Sequence, residues 1–367
     1  MLHGKNGMSN SFWKDKKVLI TGNTGFKGSW LSLWLLSMGA KVEGYSLQPD
    51  KKTNLFRTFN LDKDMNTEFA DIRDFENLNK CFKRFDPDII FHMAAQPLVR
   101  YSYDNPLETY SVNIMGTANI MECIRLSSKE RVFINVTSDK CYENKEWLWG
   151  YREDEPMGGY DPYSSSKGCS ELITSAYRRS YFDYKENNIA IASVRSGNVI
   201  GGGDWSEDRL IPDFIRAISD GEAVNIRNPN AIRPWQFVLA PLDGYMNLAE
   251  KMFFDRQGYC QAWNFGPEER DAKTVGWIIK KIVDLWGEGA SFDISISDSN
   301  PHEANYLKLD CSKAKNKLNW RTSIDLTQSL ENICLWHKAL INNEDIIQLS
   351  IDQIKNYEIK LNNMNKN

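Results

Sequence analysis

A glycine-rich segment that directly follows a short apolar run constrains the fold of this chain more than any other feature. The run 18–20 leads through Thr21 into Gly22, Gly25 and Gly28, and a helical pattern begins at once. Glycines allow a sharp turn and a close approach of backbone to phosphate, and the N-terminus of the following helix favours negative charge. The order strand, glycines, helix therefore predicts a dinucleotide-binding βαβ unit rather than a glycine-rich turn without a ligand.

The GxxGxxG spacing of these glycines resembles that of the extended short-chain dehydrogenase/reductase superfamily. This resemblance implies an NAD cofactor held by Gly22, Thr24, Gly25, Phe26, Lys27 and Gly28. A carboxylate that binds the adenosine ribose usually follows about 20 residues later. Here the predicted second strand runs out at Tyr45–Gln48 without one, while Glu43 lies inside the strand and Asp50 lies beyond it. The sequence favours NAD over NADP on balance and leaves the ribose contact open.

Short apolar runs alternate with longer helical patterns through the first half of the chain. Continuous apolar runs are typical of strands that are covered on both faces. The predicted strands are Val18–Thr21, Val42–Tyr45, Ile89–His92, Val132–Val136 and Ala190–Val194. The predicted helices are Gly28–Met38, Phe75–Phe85, Pro106–Leu126 and Tyr163–Tyr184. This order predicts right-handed βαβ units and a doubly wound, parallel α/β sheet of Rossmann type.

The pattern changes after Gly201-Gly202-Gly203, where shorter elements begin. The predicted elements are helices at Ile211–Ser219, Leu242–Phe254 and Val275–Trp286, strands at Val224–Ile226 and Gln236–Leu239, and a helical stretch over Asp325–Leu361. We therefore expect a dinucleotide-binding domain over 13–200 that includes a catalytic helix. A smaller, mixed α/β substrate lobe over 201–345 and a polar C-terminal tail over 346–367 complete the predicted organisation.

Composition narrows the class of protein further. The 367 residues are 41% hydrophobic and 26% charged with a net charge of −4, which suits a globular protein without general affinity for nucleic acid. The seven scattered cysteines form no CxxC pair, so neither a disulfide framework nor a metal site is expected. No apolar run approaches the roughly 18 residues of a membrane span, and residues 1–17 lack a signal-peptide core. We expect a cytoplasmic protein that binds no membrane.

Two clusters of polar residues predict catalysis. Tyr163 and Lys167 stand four residues apart at the start of a predicted helix, which puts them on one face. An ammonium group near a phenol lowers the phenol's pKa, so Tyr163 could accept a proton from a substrate hydroxyl. The run Thr137-Ser138-Asp139-Lys140 directly follows a predicted strand, at the sheet edge where ligands bind. A capped strand-to-loop turn would also explain that run by itself.

Together with further motifs these clusters resemble the nucleotide-sugar 4,6-dehydratases of the same superfamily, over about residues 13–340. The motifs are 137–142, Tyr163 with Lys167, Arg195–Trp205, Arg233–Gln236 and Pro301–Ala304. Relatives that act on dTDP-glucose carry Asp-Glu where this chain has Asp139-Lys140, which favours CDP-glucose as the substrate. One departure is Phe237, where the family pattern has His.

The resemblance implies a carbon–oxygen lyase that uses NAD as a reusable hydride carrier. Tyr163 would deprotonate the C4 hydroxyl as hydride leaves C4, while Ser138 hydrogen-bonds the C4 oxygen and Lys167 holds the nicotinamide ribose. Asp139 would protonate the departing C6 hydroxyl, and Lys140 would remove the C5 proton. Return of hydride to C6 gives a 4-keto-6-deoxy sugar for deoxysugar biosynthesis of a bacterial surface polysaccharide.

Other residues and alternatives remain open at this stage. The resemblance implies adenine contacts from Asp71 and Ile72 and cofactor contacts from Ala94 and Gln96. Arg209, Arg233 and Asn198 would bind the substrate, although a surface ion pair explains Arg209 and a turn explains Asn198. His92 is interpreted as a buried histidine of the core. We expect Trp147, Trp149 and Tyr151 either to belong to a loop over the cleft or to pack in the core. A homodimer or homotetramer is expected. The alternative functions are a nucleotide-sugar 4-epimerase, a dehydratase of another nucleotide-glucose, and a catalytically silent nucleotide-binding regulator.

Overall fold

The computed structural model describes residues 10–49, 53–182, 188–226, 228–256, 258–287, 289–294 and 306–364. The predicted motif Pro301–Ala304 lies outside these ranges. Strands of the described part are β1 (Lys17–Thr21), β2 (Lys41–Ser46), β3 (Asn66–Phe69), β4 (Ile89–His92), β5 (Arg131–Val136), β6 (Ile189–Ser196), β7 (Val199–Ile200), β8 (Val224–Ile226), β9 (Ile232–Pro234), β10 (Gln236–Phe237), β11 (Ala262–Phe265), β12 (Ala272–Thr274) and β13 (Phe292–Ile294).

The α-helices of the described part are α1 (Asn10–Trp13), α2 (Phe26–Ser37), α3 (Leu55–Thr58), α4 (Phe75–Phe85), α5 (Val99–Asp104), α6 (Pro106–Tyr110), α7 (Gly116–Arg125), α8 (Pro162–Tyr181), α9 (Leu210–Ser219), α10 (Leu239–Phe254), α11 (Val275–Trp286), α12 (Ser312–Lys317), α13 (Leu326–Ile341) and α14 (Ile346–Met364). A π-helical segment, Ser111–Met115, joins α6 to α7, and short 3-10 turns occupy Leu61–Lys63, Asp139–Cys141 and Glu269–Asp271. No helix in the described ranges is both long and apolar enough to cross a bilayer.

A seven-stranded sheet in the order β11-β6-β5-β4-β1-β2-β3 forms the centre of the molecule. Every neighbouring pair in it is parallel. The strand order reverses next to β1, which is the point where a doubly wound sheet opens a crevice for ligands beyond its strand ends. This architecture confirms the predicted doubly wound parallel sheet.

The central strands are fully buried because apolar residues cover both of their faces. One large apolar cluster includes Trp30 and Trp34 of α2 together with residues of α10 and α13. A second cluster, on the opposite face, packs α4 and α7 against β1 and β4 through residues such as Leu78 and Ile120. The sheet is therefore held rigidly between two helical layers, and its carboxyl edge is a fixed platform for polar side chains.

Several predicted bounds are wrong in detail. The strand predicted over Gln236–Leu239 ends at Phe237, because Val238 adopts helical backbone angles and α10 begins at Leu239. The predicted helix Pro106–Leu126 contains the π-helical segment. The stretch Asp325–Leu361 is two helices, α13 and α14, separated at a left-handed Asn343 with φ of 57°.

The C-terminal segment that we predict as a polar tail over 346–367 contains the packed helix α14. Trp34 Nε1 of α2 donates to Glu358 Oε1 at 2.8 Å, and the Trp34 and Tyr357 rings meet edge to face at 5.8 Å between centroids. In addition, β11 from the second half of the chain extends the central sheet beside β6. The two halves of the chain thus share one sheet, and the predicted domain bounds at 200 and 345 stay predictions.

Candidate active site

The glycine loop packs tightly at the N-terminus of α2 because it lacks side chains at Gly22 and Gly28. Gly22 has a φ of +76°, and a Cβ there would lie 2.7 Å from the Ala94 backbone nitrogen. A Cβ at Gly28 would collide with the Gly22 carbonyl oxygen. Gly25 precedes α2 and supplies no side-chain cap, so the first amides of the helix are not covered by a capping side chain. Such a cradle of free amides suits a pyrophosphate.

The end of β2 lies beside this loop. The Thr24 hydroxyl contacts Ser46 Oγ at 2.7 Å and donates to the Leu47 carbonyl oxygen at 3.1 Å. Glu43 is buried and forms an ion pair with Arg84 instead of facing the loop. Because of this ion pair, Glu43 is not a candidate for binding the cofactor ribose. Asp50 lies outside the described residues.

The four remaining predicted cofactor contacts follow β3 and β4. Asp71 accepts two hydrogen bonds from Arg73 Nε, at 2.9 and 3.0 Å, and Ile72 is buried against Gly116. The Ala94 amide donates to Thr21 Oγ1 at 3.2 Å. The Gln96 side chain is occupied by other protein groups: its Nε2 donates to Thr109 Oγ1 at 2.8 Å and to the Leu98 carbonyl oxygen at 3.1 Å, so it braces this loop.

A short turn at the end of β5 presents the predicted acid. Ser138 caps the 3-10 turn that begins at Asp139, and its hydroxyl donates to Asp139 Oδ1 at 3.1 Å. Asp139 is buried, and its Oδ2 has no hydrogen-bond partner among the described residues. Burial raises the pKa of Asp139, against the opposing charges of Lys140 and Arg233. A carboxyl group in this setting is suited to carry a proton.

The first turns of α8 present the predicted base and its lysine. Asp161 caps α8 by accepting from the Ser164 amide at 2.9 Å, which fixes the start of the helix directly before Tyr163. Burial raises the pKa of Tyr163 to about 12, while a hydrogen bond from Ser138 and the charge of Arg209 act to lower it. Burial lowers the pKa of Lys167 to about 8, and its Nζ donates to the Val136 carbonyl oxygen at 3.5 Å.

Lys27 connects the glycine loop with these groups. Its Nζ lies 3.4 Å from Ser196 Oγ at the end of β6. The pKa of Lys27 is lowered to about 7, chiefly by burial and also by the cations of Lys167 and Arg209, while Asp139 acts to raise it. Lys27, Asp139, Lys167 and Arg209 are therefore electrostatic neighbours in one cluster, and Asp139 and Arg209 in turn act on Tyr163.

Two of the predicted substrate contacts, Arg209 and Arg233, lie near Tyr163 and Asp139. Arg209 forms an ion pair with Asp204 at 2.8 Å and faces Tyr163 closely enough to influence its pKa. Arg233 of β9 lies close enough to Asp139 to favour the carboxylate form. Asn198 accepts from the Gln236 amide through its backbone oxygen at 2.9 Å, which holds the loop that follows β6.

A buried ion pair next to Thr137 was not predicted from the sequence. Arg195 of β6 binds Glu171 of α8 through two hydrogen bonds of 2.9 Å. Glu171 also accepts from the Ser193 hydroxyl at 2.6 Å and from Thr137, the residue before Ser138. The signal in the sequence was a glutamate four residues after Lys167, on the same face of the helix.

Other predicted residues have structural surroundings. His92 contacts Thr21 Oγ1 at 2.7 Å and Thr117 Oγ1 at 3.2 Å, and burial lowers its pKa to about 3, which confirms a neutral core histidine. Trp147 stacks on Tyr151 with centroids 5.3 Å apart, whereas Trp149 is 71% exposed. The loop that carries these aromatic residues is thus packed at Trp147 and Tyr151 and exposed at Trp149.

The parallel sheet, the glycine cradle and the buried tyrosine–lysine pair together define a dinucleotide-dependent enzyme of the extended short-chain dehydrogenase/reductase type. Within that class the chain belongs to the GDP-mannose 4,6-dehydratase family, whose model matches residues 19–333.

A relative in Salmonella typhimurium, described as CDP-glucose 4,6-dehydratase, is 52% identical over 353 residues, which cover 95% of this chain and 98% of that protein. Solved structures share the fold. UDP-glucose 4-epimerase of Thermotoga maritima has a TM-score of 0.77 at 21% identity and covers 89% of this chain and 99% of its own. dTDP-glucose 4,6-dehydratase of Bacillus anthracis, in complex with NAD, has a TM-score of 0.73 at 18% identity and covers 90% of this chain and 99% of its own.

Proposed function

We propose that this chain converts CDP-glucose into CDP-4-keto-6-deoxyglucose by loss of water. The observation that carries the proposal is the buried carboxyl group of Asp139, which is hydrogen-bonded by Ser138 and lies close enough to Tyr163 to act on its pKa. An epimerase needs a base and a dinucleotide, whereas loss of water also needs an acid for the departing hydroxyl. The 52% identity to the Salmonella relative supports CDP-glucose as the substrate.

The proposed cofactor is NAD, and the residues present fit it. Gly22 and Gly28 allow the tight backbone packing of the loop, and the start of α2 after Gly25, which no side chain caps, suits a pyrophosphate. Thr24 and the amides at the start of α2 would hold the phosphates, and Lys167 would hold the nicotinamide ribose. When bound, NAD supplies a reversible acceptor for two electrons and a hydrogen from the sugar.

The protein groups would move the protons. Tyr163 would accept the C4 hydroxyl proton, and the charge of Arg209 and a hydrogen bond from Ser138 act to stabilise its charged form against the effect of burial. Asp139 would protonate the C6 oxygen, for which its burial keeps a proton available. Lys140, half-buried beside it, would remove and later return the C5 proton. Arg209 and Arg233 would bind the substrate diphosphate, because a guanidinium group pairs with two phosphate oxygens.

Assembly and location complete the proposal. Large apolar side chains are exposed on α6, α8 and the π-helical segment between α6 and α7, and they favour a homo-oligomer. These residues are Leu107, Met115, Leu172 and Tyr181. Light scattering during size-exclusion chromatography tests this assembly, and a monomer would contradict it. A cytoplasmic location follows from the expected use of NAD and a nucleotide sugar.

Incubation with NAD⁺ and CDP-glucose tests the proposed reaction. The expected product is a 4-keto sugar, measured by its absorbance in alkali and by the loss of one water in mass spectrometry. UDP-glucose, dTDP-glucose and GDP-mannose serve as competing substrates, and Tyr163→Phe is the inactive control. A C4 epimer as product would support the epimerase alternative. Preference for another nucleotide sugar would overturn the assignment of CDP-glucose.

A further inference from the structure

The short helix α5 contacts the helix of the proposed base through one buried hydroxyl group. The backbone amide of Tyr163 donates to Ser102 Oγ at 3.1 Å, and the Ser102 hydroxyl donates to the Val99 carbonyl oxygen at 2.6 Å. Ser102 is fully buried, and Tyr163 is 8% exposed. The first amides of a helix have no partner within the helix, so an acceptor on a neighbouring element can anchor that end. Ser102 therefore holds the backbone from which the Tyr163 phenol extends.

The same helix contacts the loop that carries Arg209. Arg100, two residues before Ser102, forms an ion pair with Asp208, with 3.4 Å between Nη1 and Oδ1. Asp208 has a left-handed backbone with a φ of 58°, and Arg209, the next residue, is the N-cap residue of α9. A residue other than glycine adopts this conformation at an energetic cost and keeps it where its surroundings hold it. The ion pair therefore holds the turn directly before Arg209.

The two contacts of α5 serve the two parts of a nucleotide sugar, an inference that rests on the proposed function. In that function Tyr163 acts on the hexose and Arg209 binds the diphosphate. Arg209 pairs with Asp204 at 2.8 Å and lies close enough to Tyr163 to act on its pKa. The two groups extend from different elements, α8 and the loop before α9, so their separation depends on tertiary contacts. A misplacement of about 1 Å in a reacting geometry can lower a rate about 100-fold.

We propose that α5 fixes the distance between Tyr163 and Arg209. Ser102 holds the first group, and Arg100 holds the second through Asp208. In this role Ser102 and Arg100 are positioning residues, which touch neither the sugar nor the cofactor. Loss of the Ser102 hydroxyl releases the base and slows the reaction. Loss of the ion pair releases Arg209 and weakens the binding of the nucleotide.

Steady-state kinetics and CDP binding of Ser102→Ala test the first contact. Its kcat should fall at least ~10-fold, because the helix of the base loses an anchor. The Kd of CDP, measured by titration calorimetry with the NAD⁺-loaded protein, should stay unchanged. The matched control is Ser350→Ala in α14, which removes a fully buried hydroxyl that accepts from Trp336 Nε1 at 2.9 Å and donates to the Ile346 carbonyl oxygen at 2.7 Å. This control should lose stability but keep its kcat. Ser102→Cys gives the same comparison should the alanine variant fail to fold.

Arg100→Gln, Asp208→Asn and the double variant test the second contact. Asparagine tolerates a left-handed backbone, so Asp208→Asn removes the charge and keeps the turn. Each single variant should weaken CDP binding by about fivefold, which a half-exposed ion pair can supply. The double variant should bind CDP no more weakly than either single variant, because all three break the same contact. Lys315→Gln, which breaks an ion pair of similar exposure with Glu268, is the control and should leave CDP binding unchanged.

Three results would overturn the proposal. If Ser102→Ala keeps the kcat of the unmodified enzyme, α5 does not hold the base. If Arg100→Gln binds CDP weakly while Asp208→Asn binds it normally or more tightly, Arg100 contacts the diphosphate itself. If both variants bind CDP normally, the ion pair does not position Arg209. Failure of the proposed function looks different, because the unmodified protein would then neither bind CDP nor form a 4-keto product from CDP-glucose.

Discussion

Gly197 lies directly against the carboxylate of Asp139: a Cβ at Gly197 would stand 2.9 Å from Asp139 Oδ2 and 2.6 Å from Pro234 Cγ. The loop after β6 therefore forms one wall of the site that holds the proposed acid. This contact gives a physical reason for glycine at this position. A larger residue at Gly197 would crowd the Asp139 carboxylate without removing it.

We predict that Gly197→Ala lowers kcat by about tenfold or more, because the added methyl group displaces the proposed acid. Crowding at this position also costs about 1–3 kcal/mol of unfolding free energy. Steady-state assays and thermal unfolding measure the two effects. Gly266→Ala is the control for milder crowding at another place in the fold, since a Cβ there meets Cys311 Sγ at 3.2 Å. Equal losses of activity in the two variants would argue against a specific effect on Asp139.

Tyr163→Phe should lower kcat by about 10²–10⁴-fold, because it removes the group that accepts the C4 proton. The melting temperature should stay close to that of the unmodified protein, since the ring remains buried. Product formation and calorimetry measure both quantities. Tyr110→Phe removes a nearby phenol that contacts Ser165 at 2.8 Å and should keep its activity. A Tyr163→Phe variant with normal turnover would require a different base.

Glu171→Gln should cost about 3–5 kcal/mol of unfolding free energy, because it leaves Arg195 buried without its counter-charge. Glu171 also accepts from Thr137, so the loss should extend to kcat through the position of Ser138. Denaturant unfolding measures the first effect and turnover the second. A double variant, Glu171→Leu with Arg195→Met, should recover part of the stability because no unpaired charge remains. A double variant less stable than Glu171→Gln would contradict this explanation.

The sequence was informative where a signal is local. The glycine spacing predicted the cradle at Gly22 and Gly28, and continuous apolar runs predicted the central strands to within a few residues. Ile89–His92 and Phe75–Phe85 match the structure at both ends. These elements combine strong apolar patterning with clear boundaries, so their local preferences agree with the fold.

Features that depend on distant partners were not predictable from the sequence. The edge strand β3 is polar and partly exposed, so it lacks the apolar run that marks the central strands. β11 is four residues long and becomes a strand by pairing with β6. The ion pair of Glu171 with Arg195 joins α8 to β6, and no spacing rule connects residues on two such elements. The close contact of Gly197 with Asp139 likewise depends on the fold.

Lys27→Met should stabilise the ligand-free protein, most strongly at low pH. Burial lowers the pKa of Lys27 from 10.5 to about 7, so the folded protein holds an unfavourable buried cation below pH 7. Between pH 7 and 10.5 the unfolded chain binds more protons, so stability rises with pH and the advantage of methionine shrinks. We expect an increase in melting temperature of about 2 °C or more at pH 6, and less at pH 9. Lys14→Met, at an exposed lysine, is the control. An advantage that grows with pH would refute this assignment.

Asp243→Asn should stabilise the protein most strongly at high pH, because Asp243 of α10 is buried near Glu358 of α14. Burial raises the pKa of Asp243 from 3.8 to about 8, and the Glu358 carboxylate adds to the shift. Between these two values the folded state binds more protons than the unfolded chain, so unfolding free energy falls as pH rises. The asparagine variant lacks this loss, and its advantage should grow on the order of 2 kcal/mol between pH 5.5 and 8.5 in denaturant titrations. Asp62→Asn, at an exposed position, should run parallel to the unmodified protein. If the unfolding free energy of Asp243→Asn instead ran parallel to that of the unmodified protein over this pH range, Asp243 would be ionised at a much lower pH. The packing of α14 would then involve no group that titrates in this range.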